Sequence, residues 1–260
     1  MGGLLTAEWR KTRSTKLWWG LLIPICLLSA LINVFGGALA ISGAFGSGGL
    51  ADQAVVLAMA TALSLGGILV VVFGIVSVSG EFRHRTITTT YLTGGTRTSV
   101  LVVKSVFAAA VGAAYAMAIE LVGIGAALLG QGSASFGDPG RLAVLCVMGV
   151  VVLATWAVFG VLFGALVSNL LAAVISALTY LLIVENVLQA VLASSRAAVA
   201  GYLLPGEAPG AALISYALGG RSSRVYNDIP PWPAALLAFA VYTVVLGAVG
   251  WAISQRRDVT

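Results

Sequence analysis

An all-α, polytopic membrane protein with six transmembrane helices is what this sequence predicts, on three observations. Of its 260 residues, 60% are hydrophobic and 9% charged, with a mean hydropathy of +1.04, where an ordinary soluble domain carries about 25% charged residues. The 14 basic and nine acidic residues fall in clusters. Between the clusters, residues 17–51, 53–80, 142–184 and 229–255 carry no charge, and 105–137 carry only Glu120 before Asp138. Each run exceeds the roughly 20 apolar residues that a spanning helix needs at about 1.5 Å per residue. This composition excludes a soluble enzyme and a disordered chain. Strands are not expected, because the runs are continuous rather than alternating and barrel strands have only about 10 residues.

Residues 1–16 open the chain as a cytoplasmic interfacial segment. Leu5, Trp9 and Thr12 share one helical face, while Glu8, Arg10 and Arg13 fall off it and Lys11 adds to the basic character. That suits a short helix on the membrane surface, with Trp18 and Trp19 at the headgroup level. It serves either as a basic anchor that sets topology or as a lever on a cytoplasmic partner. The first span, 17–41, has a basic lead like a signal peptide, but its apolar run far exceeds the roughly 7–15 residues of a signal core, so an uncleaved span is expected.

The second span is expected at 54–79, followed by a cytoplasmic loop at 80–99 that reads GEFRHRTITTTYLTGGTRTS. Glu81 and Arg85, and likewise Ile87 and Tyr91, stand one helical turn apart, so a short amphipathic helix is predicted there. Gly94 and Gly95 break it, and Lys104 lies at the opening of the third span, 100–130. The next run is too long for one helix. Ser168 and Asn169 are its only adjacent polar residues and mark a tight turn between spans four, 142–167, and five, 170–193. An extracytoplasmic loop at 194–233 carries Pro205, Pro209, Pro230, Pro231 and Pro233, with an apolar segment at 210–218 too short to span. The sixth span is 234–254.

Six spans leave both termini on one side of the membrane. That side would hold Arg10, Lys11, Arg13, Lys16, Arg83, Arg85, Arg97, Lys104, Arg256 and Arg257, against Arg141, Arg196, Arg221 and Arg224 on the other. The excess places both termini in the cytoplasm. It also accounts for most of the net charge of +5 without invoking nucleic acid.

Catalytic chemistry is not expected. Cys26 and Cys146 sit within spans, and a single histidine, His84, cannot supply a cluster of metal ligands. None of the three lysines ends a phosphate-binding Gly-x-x-x-x-Gly-Lys-[Ser/Thr] loop. Ser77 and Ser79 have no histidine on a neighbouring span to act as base. The candidate pathway residues are the polar groups inside spans: Glu120, and Glu185 with Asn186 and Gln189, where Glu185 and Gln189 share a face. A charge in bilayer costs roughly 3 kcal/mol at the centre. These groups therefore serve either a substrate or proton site, or the stability of the bundle. Gly160 and Gly164 form a Gly-x-x-x-Gly in span four, joined by Gly66–Gly67, Gly112 with Ala116, and Gly123 with Ala127. They allow close packing within the bundle or along a dimer seam.

The order EWRKTRSTKLWW, two spans, GEFRHRTITTTYL, then RTSVLVVK resembles the type-2 permease subunits of ABC exporters. The shared features are Gly80–Glu81, Thr86, Arg97 and Lys104; the chain departs at Arg85, where that family often has Gly, and at Gly94–Gly95, where Pro is common. The resemblance implies that residues 6–16 (Glu8, Trp9, Arg10, Lys11 and Arg13 among them) form the connecting helix. It implies likewise that Glu81, Phe82, Arg83, His84, Arg85, Thr86, Ile87 and Tyr91 form a coupling helix that docks on an ATPase. It further implies no cofactor in this chain, ATP and Mg on the separate ATPase subunit, and pairing with a second permease copy or a homologue. The expected activity is export of an amphipathic or lipophilic substrate, a drug, lipid or lipid-linked glycan, across the cell membrane. Alternatives are a proton-coupled secondary carrier using Glu120 and Glu185, and a membrane anchor without transport.

Overall fold

In lipid every backbone N–H and C=O must be satisfied within the protein, and long non-alternating apolar runs achieve this as helices. A computed structural model of the chain describes residues 2–41, 54–83, 96–131, 138–167, 169–193, 197–219 and 228–256. All regular structure among these residues is helical. Six stretches are long and apolar enough to cross a membrane, so the protein is a multi-pass helical membrane protein.

Helix α1 (Gly2–Ser14) leads into α2 (Leu17–Ile41), α3 (Ala54–Arg83), α4 (Arg97–Gln131) and α5 (Pro139–Leu166). The fifth crossing is composite: α6 (Leu170–Thr179), a π-helical segment (Tyr180–Val184) and α7 (Glu185–Ala193). Two short helices follow, α8 (Ala198–Gly201) and α9 (Glu207–Leu218), before the last crossing, α10 (Trp232–Arg256).

Helix ends are set by local chemistry. Asp138 caps α5 by accepting from the Gly140 N–H at 2.9 Å, with Pro139 in the first turn, where its missing N–H costs nothing. Asn169 lies in the break after α5 and caps α6 by accepting from the Ala172 N–H at 3.1 Å.

Helix α3 is the central post. Its Met59, Leu63, Phe73 and Ile75 are fully buried and pack with Ile119 of α4 and Leu145, Leu153 and Trp156 of α5. Close approach is what the small residues provide. Gly74 meets the backbone of Ala157 and Gly160, and Gly160 in turn meets the Val71 carbonyl and Gly74. Gly164 lies against Ile75 and Ser79, and the Ser79 hydroxyl donates to the Gly164 carbonyl at 3.0 Å. The Gly160–Gly164 pair therefore packs inside the bundle, α5 against α3. Gly112 and Gly67 are used likewise, against Leu153 and Trp156. The Trp156 ring stacks at a tilt on Phe239 of α10, with centroids 4.9 Å apart.

Helix α9 is too short to cross, yet Ala208–Leu213, Ser215, Ala217 and Leu218 are buried against α3, α5 and α10. Its end turns at Gly219 in the left-handed region, φ 60°, and the Arg141 guanidinium donates to the Tyr216 carbonyl at 3.1 Å. One of the far-side arginines thus satisfies a helix terminus. The fifth crossing is the opposite case. Its buried residues are Ala173, Ala177 and Glu185, where more than half of α3 is buried, so most of its surface is left for lipid or another chain.

Because a side chain at Gly160 meets the α3 backbone, which cannot move away, Gly160→Leu is expected to destabilise the protein by roughly 1–3 kcal/mol. Thermal unfolding in detergent checks this, with Gly125→Leu as the neutral control, since nothing lies within 4 Å of a Cβ there.

Candidate functional site

Four charged side chains from three elements meet at the end of the bundle that carries α1. Lys104, two turns into α4, is 3% exposed. Its ammonium donates to Glu8 Oε1 of α1 at 2.9 Å, to Glu81 Oε1 of α3 at 2.8 Å and to the Ser77 carbonyl at 3.2 Å. Lys11 of α1 closes the cluster, at 2.6 Å from Glu81 Oε1 and 3.3 Å from Glu8 Oε1. Two cations and two carboxylates balance, which is the condition for placing charge in an apolar bundle. Burial, the largest influence on Lys11, works to lower its pKa; the hydrogen bond and charge of Glu81, with those of Glu8, outweigh it and raise it above the ordinary 10.5.

A cavity of about 290 Å³ opens beside the cluster, between α1 and the ends of α3 and α6, lined by Thr12, Ser77, Gly80 and Leu170 among others. On the other side of α1, Trp9, Thr12 and Arg13 wall a groove against α2 and α4. Glu8 is thus buried toward the bundle, and Arg13 lines the same groove as Trp9, although the helical wheel sets Glu8 and Arg13 together on the polar side. Arg10 stays exposed.

Glu81, Phe82 and Arg83 are the last three residues of α3, continuous with the second crossing. His84, Arg85, Thr86, Ile87 and Tyr91 lie outside the described residues. The Glu8–Lys104 contact escaped sequence reading, although a signal was present. Lys104 is the only cation between Arg97 and Arg141, and Glu8 is the only acid before Asp52. A lysine set in an apolar run demands a carboxylate, but the sequence does not say which.

The candidate pathway residues separate. Asn186 and Gln189 line a far-side cavity of about 430 Å³ together with Ser64, Tyr202 and Glu207. Burial pushes the Glu207 carboxyl above its ordinary range. Glu185 is 1% exposed, and its Oε1 accepts from the Gly206 N–H at 2.8 Å, with the Tyr180 hydroxyl as a second partner. It ties the π-helical segment to the turn before α9. Glu120 lies elsewhere, buried against Leu63 and Gly149, and its Oε1 has no hydrogen-bond partner among the described residues. Nearby on α4, the Ile119 carbonyl accepts from the Ser29 hydroxyl of α2 at 2.8 Å. No group of three or more His, Cys, Asp or Glu able to hold a metal occurs among the described residues.

No protein-family model matches the chain, and no curated protein matches it. Fold and site together define a multi-pass helical membrane protein with a buried ionic junction at one end and a polar cavity at the other.

Removing one partner of a buried ionic cluster leaves the others uncompensated. Lys104→Met is expected to cost roughly 3–5 kcal/mol, and adding Glu81→Gln to recover part of it, read as midpoints of thermal unfolding in detergent. The raised Lys11 pKa gives a pH expectation. A group whose folded pKa lies above its unfolded value stabilises fully below the unfolded value and loses that contribution as pH rises through the folded one. Protease cleavage of α1 should therefore stay slow up to about pH 10.5, the ordinary lysine value, and quicken only above it.

Proposed function

We propose that the chain is the permease subunit of an ATP-driven ABC exporter, which pairs with a second permease copy or a homologue and takes its energy from separate ATPase subunits that hold ATP and Mg. The observation that carries this reading is the ionic junction. It brings into contact the two segments that the type-2 permease resemblance assigns to coupling: residues 6–16, through Glu8 and Lys11, and residues 80–99, through Glu81. In this reading both lie in the cytoplasm, as the distribution of Lys and Arg indicates.

The mechanism follows from the connections. Closure of the ATPases displaces the loop that begins after Arg83. Because Glu81 is fixed to Lys104 and Lys11, the displacement passes to α3, α4 and α1 together. A rigid α3–α5 core then rocks as one body, and the pathway opens alternately to the two sides of the membrane. The fifth crossing, which buries little of its surface in one chain, is where a second permease copy completes the pathway. The far-side cavity, which sets Asn186, Gln189, Ser64, Tyr202 and Glu207 beside alanines, Ile214 and Ile229, suits an amphipathic cargo leaving the cell membrane.

A proton-coupled carrier is the second reading, and the unpartnered Glu120 Oε1 is the observation that favours it. Its other expected carboxylate, Glu185, is occupied by the Gly206 N–H and Tyr180.

Purification of the tagged chain from its native membrane in mild detergent distinguishes the two. A stoichiometric ATPase is expected to co-purify. Arg85→Ala with Tyr91→Ala, which leaves the ionic junction intact, is expected to reduce that recovery several-fold. A folded chain without any nucleotide-binding partner, combined with transport that is abolished by Glu120→Gln and driven by a proton gradient, would establish the carrier instead.

A further inference from the structure

We propose that the groove between α1, α2 and α4 is a binding site for one anionic phospholipid, with its phosphate at Arg13 and one acyl chain running down α4. The inference does not depend on the transport reading.

The groove has a volume of about 430 Å³. Its floor on α4 runs from Phe107 to Ala118, which at about 1.5 Å per residue is roughly 16 Å, close to the reach of an acyl chain. Ala110, Ala114 and Ala118 lie one turn apart along that floor and leave it deep, while Leu22 of α2 closes one wall. Along this length the only polar side chain is Tyr115, whose hydroxyl donates to the Trp18 carbonyl at 2.5 Å and so has no need of water. An aqueous ligand has nothing to bind here. A hydrocarbon chain does.

The mouth is different in character. Trp9 and Trp18, 57% and 37% exposed, mark the headgroup level on either side of it. Arg13 stands at the same rim, with Thr12 beside it. No acidic residue lines the groove among the described residues. The one carboxylate of α1, Glu8, is turned to the opposite side and neutralised by Lys104 and Lys11. Arg13 therefore leaves a positive charge at the mouth, which matches a net-negative headgroup better than a zwitterionic one. A lipid seated here would touch the face of α1 that the ionic junction leaves free, so that α1 is held by charge on one side and by lipid on the other.

Native mass spectrometry of the full-length chain tests this. The protein is equilibrated in detergent with equal amounts of phosphatidylglycerol and phosphatidylcholine, and retained lipid is counted. Wild type is expected to hold one phosphatidylglycerol in preference to phosphatidylcholine by at least several-fold. Arg13→Gln, at an exposed position, should bring the preference close to one while lipid is still retained. Ala114→Phe, which fills the floor, should abolish the adduct with thermal stability preserved. Equal retention of the two lipids by wild type, or an unchanged preference in Arg13→Gln, overturns the proposal. So does a lipid-free dimer that forms a disulfide through Ala118→Cys, since a second copy would then be the occupant.

Discussion

A buried ammonium governs the architecture at one end of this protein. Lys104 sits about 10 Å into α4, counted from Arg97 at 1.5 Å per residue, among apolar neighbours. An unpaired charge there would cost several kcal/mol. Two carboxylates remove that cost, and they come from different elements, Glu8 from α1 and Glu81 from the end of α3. The position of α1 is thereby fixed by an electrostatic requirement of α4 as well as by its own apolar contacts. Other polar contacts between elements include Ser29 to the Ile119 carbonyl, Ser79 to the Gly164 carbonyl, Arg141 to the Tyr216 carbonyl and the Trp251 indole to the Thr98 hydroxyl. At the junction α1, α3 and α4 share a single set of charges.

The rest of the molecule divides by how closely backbones approach. Between α3 and α5 glycines allow contact at backbone distance, so dispersion is dense and there is little freedom to slide. The fifth crossing has no such seam. Its buried groups are Ala173, Ala177 and Glu185, and its helix is interrupted by a π-helical segment just before that carboxylate. Interruptions of this kind are frequent at functional sites. A protein with one rigid pair and one loosely held crossing has its low-energy motions placed in advance, in the crossing that contributes least to the core.

The helical fold with six crossings was legible in the sequence because it rests on a large signal: runs of apolar residues longer than a bilayer is thick. The Gly-x-x-x-Gly of α5 was legible as a packing element, but its partner was not, because close approach is a property of two helices and a sequence shows one at a time. The site was legible only in part. Helical spacing sets Glu185 and Gln189 on one face, whereas the residues that line the cavity are Gln189 and Asn186. Glu185 does not join them, because it is drawn to the Gly206 N–H, a backbone group with no sequence signature. Glu8 was set on the polar face of α1 by its angle on a helical wheel. Its actual surroundings are decided by a lysine 96 positions further on, and nothing local to either residue announces that pairing.

The junction also imposes an order on how the chain is made. Synthesis runs from the amino terminus, so Glu8 and Glu81 both exist before Lys104 emerges. When α4 enters the bilayer its ammonium finds two carboxylates already waiting, and the most unfavourable group in that segment is neutralised as it arrives. The placement of the charges along the chain thus makes α1 a built-in insertion aid for a helix made some ninety residues later.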